Sequence, residues 1–212
     1  MNKKYTLYHY WRSSCSWRVR WALNYKQIPH DLIAVNLLNN EHKTQEYLKK
    51  NPFSYVPTLE IDGRYYTESL AMLEYLEESF PKRNLLPSDP ESRLLIRQLT
   101  LTLIAGTQPL QNLSVLNYVA KDNDAKKKEF ATYFIERGLQ TVETLLQKQQ
   151  CVGTYTFGSQ LTFADLALIP QCYNALRQEI DLRRYPLIYK VYQNCLQTEA
   201  CQSSSPEAHQ PK

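Results

Sequence analysis

Over the first eighty or so residues, apolar positions fall in short alternating runs broken by one helical stretch. Tyr5-Thr6-Leu7-Tyr8-His9 and Asp31-Leu32-Ile33-Ala34-Val35 read as strands. Between them, Cys15, Val19, Ala22 and Leu23 recur at helical spacing, which predicts a helix from Ser14 to Lys26. Glu41 to Lys50 reads as a short polar helix. Pro57 to Tyr66 reads as two short strands about Asp62-Gly63, a strong hairpin signal. Ser69 is placed to cap a helix with Met72, Leu73, Leu76 and Phe80 on one face. The order β-α-β-α-β-β-α is a βαβ unit followed by an antiparallel hairpin, an α/β layer over residues 1–82.

Pro81 to Pro90 holds three prolines with Asn84, Ser88 and Asp89, and residues 83–90 read as a linker. Beyond it the pattern is helical. Leu95, Leu99, Thr102 and Leu103 share one face, as do Ile135, Leu139, Val142 and Leu146. Residues 91–202 are therefore an all-helical domain. Within it, Thr162 and Asp165 form a capping pair, flanked by Leu161 and Leu166 at staple positions. Residues 203–212 are polar with two prolines and read as a flexible tail.

Composition narrows the class. With 43% apolar residues the chain is globular, and 5 glycines against 16 tyrosines favour helices over a sandwich. The net charge of +4 is scattered, and Lys126, Lys127 and Lys128 adjoin acids, so no nucleic-acid patch is expected. No apolar run reaches the roughly 20 residues of a membrane span, and Met1 to Lys4 lack a signal-peptide core. The five cysteines form an odd set with no C-x-x-C pair and no zinc spacing, so reduced thiols, a cytoplasmic location and no metal are expected. Cys172 and Cys195 fall in apolar helical surroundings and read as core.

The chemistry-bearing stretch runs from Tyr10 to Arg20. Ser13, Ser14, Cys15 and Ser16 crowd a helix start, where unpaired N–H groups and a partial positive charge favour an anion such as a thiolate. The serines are equally able to act as plain caps. Cys15 fits the buried face of that helix as well as a nucleophile's place. Arg12, Arg18 and Arg20 are a local basic set, suited either to solvent and acid partners or to drawing anions in.

Four segments resemble the zeta class of the cytosolic glutathione transferases, whose members are typically maleylacetoacetate isomerases. They are Ser13 to Arg20, Val56-Pro57-Thr58-Leu59, Glu68-Ser69-Leu70-Ala71, and Gln108-Pro109-Leu110-Gln111-Asn112-Leu113-Ser114. The first and last are specific to the class; the other two mark the superfamily. The resemblance spans about residues 4–200. It implies a thioredoxin-like domain with a mixed four-stranded sheet joined to a helical bundle, glutathione as cofactor, and a homodimer.

The resemblance also distributes roles. Ser13, with Ser14 as the other candidate, donates a hydrogen bond to the glutathione sulfur, and Cys15 supports it. Val56, before a cis Pro57, presents its backbone to the cysteinyl part. Ser69 takes the glutamyl carboxylate and Glu68 the ammonium; Glu68 departs from the glutamine usual in this class. His42 faces the glycyl carboxylate. Gln108 and Asn112, read as mid-helix amides, line the cofactor side. Arg12, Gln111, Ser114 and Arg177 meet a dicarboxylic substrate, for which a guanidinium has the right bidentate geometry. The implied reaction is conversion of maleylacetoacetate to fumarylacetoacetate in tyrosine and phenylalanine breakdown. Thiolate addition makes the cis double bond single, rotation follows, and expulsion of the thiolate restores a trans alkene. Two alternatives use the same fold: a transferase or dehalogenase acting on small electrophiles such as α-halo acids, and a non-catalytic binding module.

Overall fold

The structure, a computed structural model, describes residues 3–211. Met1 and Asn2, on which the reading of the N-terminus partly rests, and Lys212, the last residue of the expected tail, lie outside them. The chain forms two compact units, Met1–Asn84 with Thr198–Lys212, and Leu85–Gln197.

The first unit is built on strands β1 (Tyr5–His9), β2 (Asp31–Ala34), β3 (Thr58–Ile61) and β4 (Arg64–Tyr66) in the order β2-β1-β3-β4. β1 and β2 are parallel, with Leu7 opposite Leu32; β1 and β3 are antiparallel, with Leu7 opposite Leu59. The β3–β4 turn has Asp62 and Gly63 at φ +49° and +81°, the paired positive values of the hairpin that Asp-Gly announces. The expected Glu41–Lys50 helix is split into a 3-10 turn, Glu41–Lys43, and α2 (Gln45–Leu48), because Thr44 is extended and caps α2 by accepting from the Tyr47 N–H.

Helix α1 (Ser14–Tyr25) is buried from Ser16 through Leu23, more completely than a one-faced helix would be. It packs against α3 (Ser69–Ser79) and α9 (Glu199–Ser204). Its C-terminal end is fixed by Lys26, whose buried Nζ lies 2.7 Å from Glu77 and donates to the carbonyls of Phe80 and Arg83. Ser69 is the first residue of α3 rather than its cap; Glu68 precedes it without a side-chain cap bond.

The C-terminal residues correct two expectations. The segment from Thr198 belongs with the first unit, and the stretch read as a flexible tail includes the end of α9 and a 3-10 turn, Glu207–His209. The cause is contact with α1. Cys201 is fully buried, Trp17 Nε1 donates to Ser204 Oγ at 3.1 Å, Asn24 Nδ2 donates to Ser203 Oγ at 3.0 Å, and Arg20 Nε donates to Ser204 O at 2.9 Å. Polar composition concealed it, because the anchoring is by hydrogen bonds rather than by an apolar stripe.

The second unit is helical: α4 (Pro90–Ile104), α5 (Leu113–Ala120), α6 (Asp124–Gln149), α7 (Phe163–Arg177) and α8 (Pro186–Leu196). α4 buries Ile96, Leu99, Thr100 and Leu103, so Leu99 and Leu103 are inside as read while Leu95 and Thr102 are only partly buried, and α6 buries Ile135, Leu139, Val142 and Leu146 as read. The stretch expected to be a linker includes buried core residues, Leu85 and Leu86, and Leu85 O accepts from the Phe163 N–H. Buried Glu143 of α6 accepts from the N–H groups of Leu187 and Ile188, closing the start of α8. The Thr162–Asp165 capping pair forms. Buried Asp165 accepts from Thr156 N at 2.7 Å, Thr162 N at 2.8 Å and Thr162 Oγ1 at 2.8 Å. Among the described residues no helix is long and apolar enough to cross a membrane.

Asp165→Ala strands these donors in the interior, and denaturant unfolding is expected to show a loss of about 2–4 kcal/mol. A second prediction concerns acid. His9 is buried, and Arg20, which can only donate, lies with Nη1 3.0 Å from its Nδ1, so His9 is neutral with its proton on Nε2. Burial, then Arg20, His209 and His30, pull its pKa down to about 3 from 6.5. A depressed folded pKa gives stability that is complete above pH 6.5 and is lost as pH falls toward 3, at up to about 1.4 kcal/mol per pH unit. The stability difference between the native protein and His9→Gln should therefore narrow between pH 7 and pH 4 in urea titrations.

Candidate active site

The connection from β1 to α1 is closed locally. Ser13 is extended, at φ −71° and ψ 123°, and its Oγ accepts from the Ser16 N–H at 3.2 Å. The Ser13 N–H donates to Tyr10 O, and the Tyr10 N–H donates to Ser16 Oγ. Ser13 is thus the cap of α1, and capping occupies a lone pair of its oxygen and leaves its O–H to donate. No described residue accepts that proton. Ser14, the first helical residue, is buried, whereas Cys15 is partly exposed.

Arg18, one turn along, is 1% exposed and donates from Nη1 to Ser69 Oγ at 2.6 Å. Burial lowers its pKa, and contact with Cys15 opposes that shift. This buried guanidinium joins the opening of α1 to the opening of α3, and so brings Ser13, Cys15 and Ser69 into one locality. Sequence reading placed Arg18 only in a basic cluster; apolar Trp21 and Ala22, three and four positions on along the same helix face, are the signal that it points inward. Arg12 alone of that cluster stays partly exposed, its guanidinium 5.3 Å from the centroid of the Trp11 ring.

The Val56–Pro57 bond is cis. The preceding carbonyl, Tyr55 O, accepts from Tyr47 Oη at 2.7 Å and Asn51 Nδ2 at 2.8 Å, which fixes the turn. Neither the N–H nor the C=O of Val56 is bonded to another described residue. Val56, Tyr10, Val35 and Tyr47 form one buried cluster with Trp11 packed on it, so this turn lies beside the β1–α1 connection. Glu68 is exposed at φ +66° and ψ +106°, a conformation costing a residue with a side chain about 1–3 kcal/mol. Its carboxylate has no partner among the described residues. His42 sits in the Glu41–Lys43 turn; its carbonyl accepts from Ser54 Oγ at 2.7 Å and its Nδ1 has no partner among the described residues. Burial, with Lys43, pulls its pKa down, so the ring is neutral at pH 7.

In the helical unit the amides are not mid-helix. Gln108 to Gln111 form a 3-10 turn and Asn112 stands at the start of α5, because Pro109 supplies no N–H. Thr107 packs so closely on Gly138 of α6 that a Cβ there would collide with it. Gln108 is buried. Gln111 Nε2 donates to Oε1 of buried Gln171 at 2.6 Å. Gln171, which sequence reading passed over, sits mid-α7 in a run of otherwise apolar core. Ser114 is exposed in the first turn of α5, and Arg177 is exposed in the last turn of α7.

Residues 7–84 match the family model described as glutathione S-transferase, N-terminal domain, and residues 111–202 the corresponding C-terminal domain. A maleylacetoacetate isomerase of Dictyostelium discoideum is 44% identical over 97% of this chain and 96% of its own length. A probable maleylacetoacetate isomerase 2 of Drosophila melanogaster is 42% identical over 97% of this chain and 88% of its own. Among solved structures, the holo form of a maleyl pyruvate isomerase, described as a bacterial zeta-class transferase, superposes with TM-score 0.94 at 34% identity, over 98% of this chain and 99% of that one. A maleylacetoacetate isomerase from Anaeromyxobacter dehalogenans with glutathione bound in its active site gives TM-score 0.89 at 38% identity, over 99% and 98%. Alike along nearly their whole lengths in sequence and in fold, these proteins and this chain are members of one family, the zeta-class maleylacetoacetate isomerases of the glutathione transferases.

Proposed function

We propose that this protein is a glutathione-dependent cis–trans isomerase that converts maleylacetoacetate to fumarylacetoacetate in tyrosine and phenylalanine breakdown. The observation that carries the reading is a set of unused polar groups on one unit: the Ser13 O–H, the Val56 N–H and C=O, and the Glu68 carboxylate. They fit, in turn, the thiol, the main chain and the ammonium of glutathione. Glutathione, when bound, supplies a thiolate nucleophile that lets the substrate's double bond rotate as a single bond.

The protein's own groups do the rest. Ser13 donates its proton toward the sulfur, and the positive end of α1 adds to that stabilisation, so the thiol ionises below its ordinary pKa of about 8.5. Ser14 and Cys15 complete the rim. Val56 extends its backbone to the cofactor as an added strand would. Ser69, held by Arg18, binds the glutamyl carboxylate at the start of α3, Glu68 meets the ammonium, and neutral His42 donates to the glycyl carboxylate. Gln108 and Asn112 add amide contacts to the cofactor. Arg12 and Arg177 bind the substrate's carboxylates, and Gln111 and Ser114 donate to the oxygen that gains charge as the alkene is attacked. The homodimer usual in the family is the proposed assembly, supported by exposed Leu94 and Leu101 on α4. Five free cysteines support a cytoplasmic location.

Ser13→Ala should lower kcat/KM for maleylacetone in the presence of glutathione by about 10²-fold, the usual effect of losing one donor to a developing anion. A loss confined to Ser14→Ala instead would reverse the assignment of the two serines. Glu68→Gln keeps the size and removes the charge; calorimetric titration should show glutathione binding weakened about tenfold, near 1.4 kcal/mol. Unchanged binding would remove Glu68 from the cofactor site.

A further inference from the structure

One buried cation has no part in this scheme. Arg20, on α1, has zero exposure, and its pKa is pulled down to about 9 by burial. Among the described residues no carboxylate pairs with it. Its guanidinium is held by four groups: His9 Nδ1 at 3.0 Å and Tyr10 O at 3.4 Å on Nη1, Trp11 O at 3.0 Å on Nη2, and Ser204 O at 2.9 Å on Nε. Three of these belong to consecutive residues, His9, Tyr10 and Trp11, the stretch that leads from β1 into Ser13. The fourth comes from the C-terminal segment.

A planar fork bonded to three successive residues fixes the path of that backbone, and an ammonium, a single point donor, cannot reproduce it. The geometry points to Arg20 as a positioning residue for the Tyr10–Ser13 connection, with the C-terminal segment from Thr198 as the clamp that seats it. The segment closes the last side of the guanidinium, which otherwise would open to water and lose an acceptor. A buried charge compensated only by dipoles depends on every one of them. The segment also has attachments that do not touch Arg20: the Trp17 bond to Ser204, the Asn24 bond to Ser203, and the His209 ring edge-on to His9 at 5.5 Å. These separate general loosening of the segment from loss of the clamp itself. The other ionisable groups near the connection are Arg12, Cys15, Arg18, His9, His30 and His209, and Arg18 is engaged with Ser69.

The inference deepens the glutathione reading and rests on it for its second readout only. The first readout is backbone amide hydrogen exchange in the full-length protein without glutathione, with thermal unfolding recorded alongside. Arg20→Lys should speed exchange of the Trp11–Ser13 amides about tenfold more than that of the β1 and β3 amides. Cys201→Lys, which puts an ammonium into the buried seat of α9 and expels the segment, should do the same with Arg20 intact. Trp17→Phe, which removes one attachment and leaves the guanidinium's partners, should not. The second readout is the ultraviolet absorbance of bound glutathione thiolate against pH, which in Arg20→Lys should titrate about one unit higher, a tenfold loss of ionisation, while S-methylglutathione binding changes less than about threefold. If Arg20→Lys does not fold, Cys201→Lys decides. Unaltered exchange in the folded variants, or equal acceleration by Trp17→Phe, overturns the inference. A native protein that shows the exchange pattern but binds no glutathione overturns the cofactor reading and leaves the clamp standing.

Discussion

The first unit is organised by the burial of one helix on all sides. Against α3, the C-terminal segment and the end of β1, α1 has almost no water-facing surface from Ser16 to Leu23. Burying Arg18, Arg20 and Lys26 along with Trp17 and Trp21 is costly unless each charge finds fixed partners. Arg18 finds Ser69; Arg20 finds main-chain carbonyls and a neutral imidazole; Lys26 finds Glu77. Because these partners come from β1, α3 and α9, satisfying the charges fixes where those elements sit. The hydroxyl-rich start of α1 inherits its position from this network.

The helical unit solves a related problem with carboxylates instead of cations. Asp165 and Glu143 are buried and take backbone N–H groups that helix starts leave unpaired. Such acids specify which loop meets which helix, a precision that apolar packing alone does not supply. Thr107 wedged on Gly138 does the same by shape, and holds the amide-bearing turn that begins at Gln108.

What could be read in the sequence follows from how local each signal is. The four strands, the Asp62-Gly63 hairpin and the Thr162–Asp165 cap are written within a few residues, and they were legible. The cap at Ser13 and the cis bond after Val56 were legible because short motifs carry them. The failures involve contacts distant along the chain. Arg18 and Arg20 read as a basic set suited to solvent, acids or incoming anions, since their partners Ser69 and Ser204 are distant along the chain. Gln171 was hidden in apolar core, and its partner Gln111 is sixty positions away. On α4, Leu99 and Leu103 are buried as read, but Ile96 and Thr100 replace Leu95 and Thr102, because apolar residues on both sides of that helix satisfy the period. Proline at 109 should have argued against a continuous helix through the amides.

The seat of Ser204 O on Arg20 has a bearing on biosynthesis. The α/β layer precedes the helical unit in sequence, yet one acceptor for its buried guanidinium follows that unit. Residues 85–197 are complete before that acceptor exists. Domains generally fold in order of synthesis, but here the first unit lacks one acceptor of its buried guanidinium until residues beyond 197 have been made.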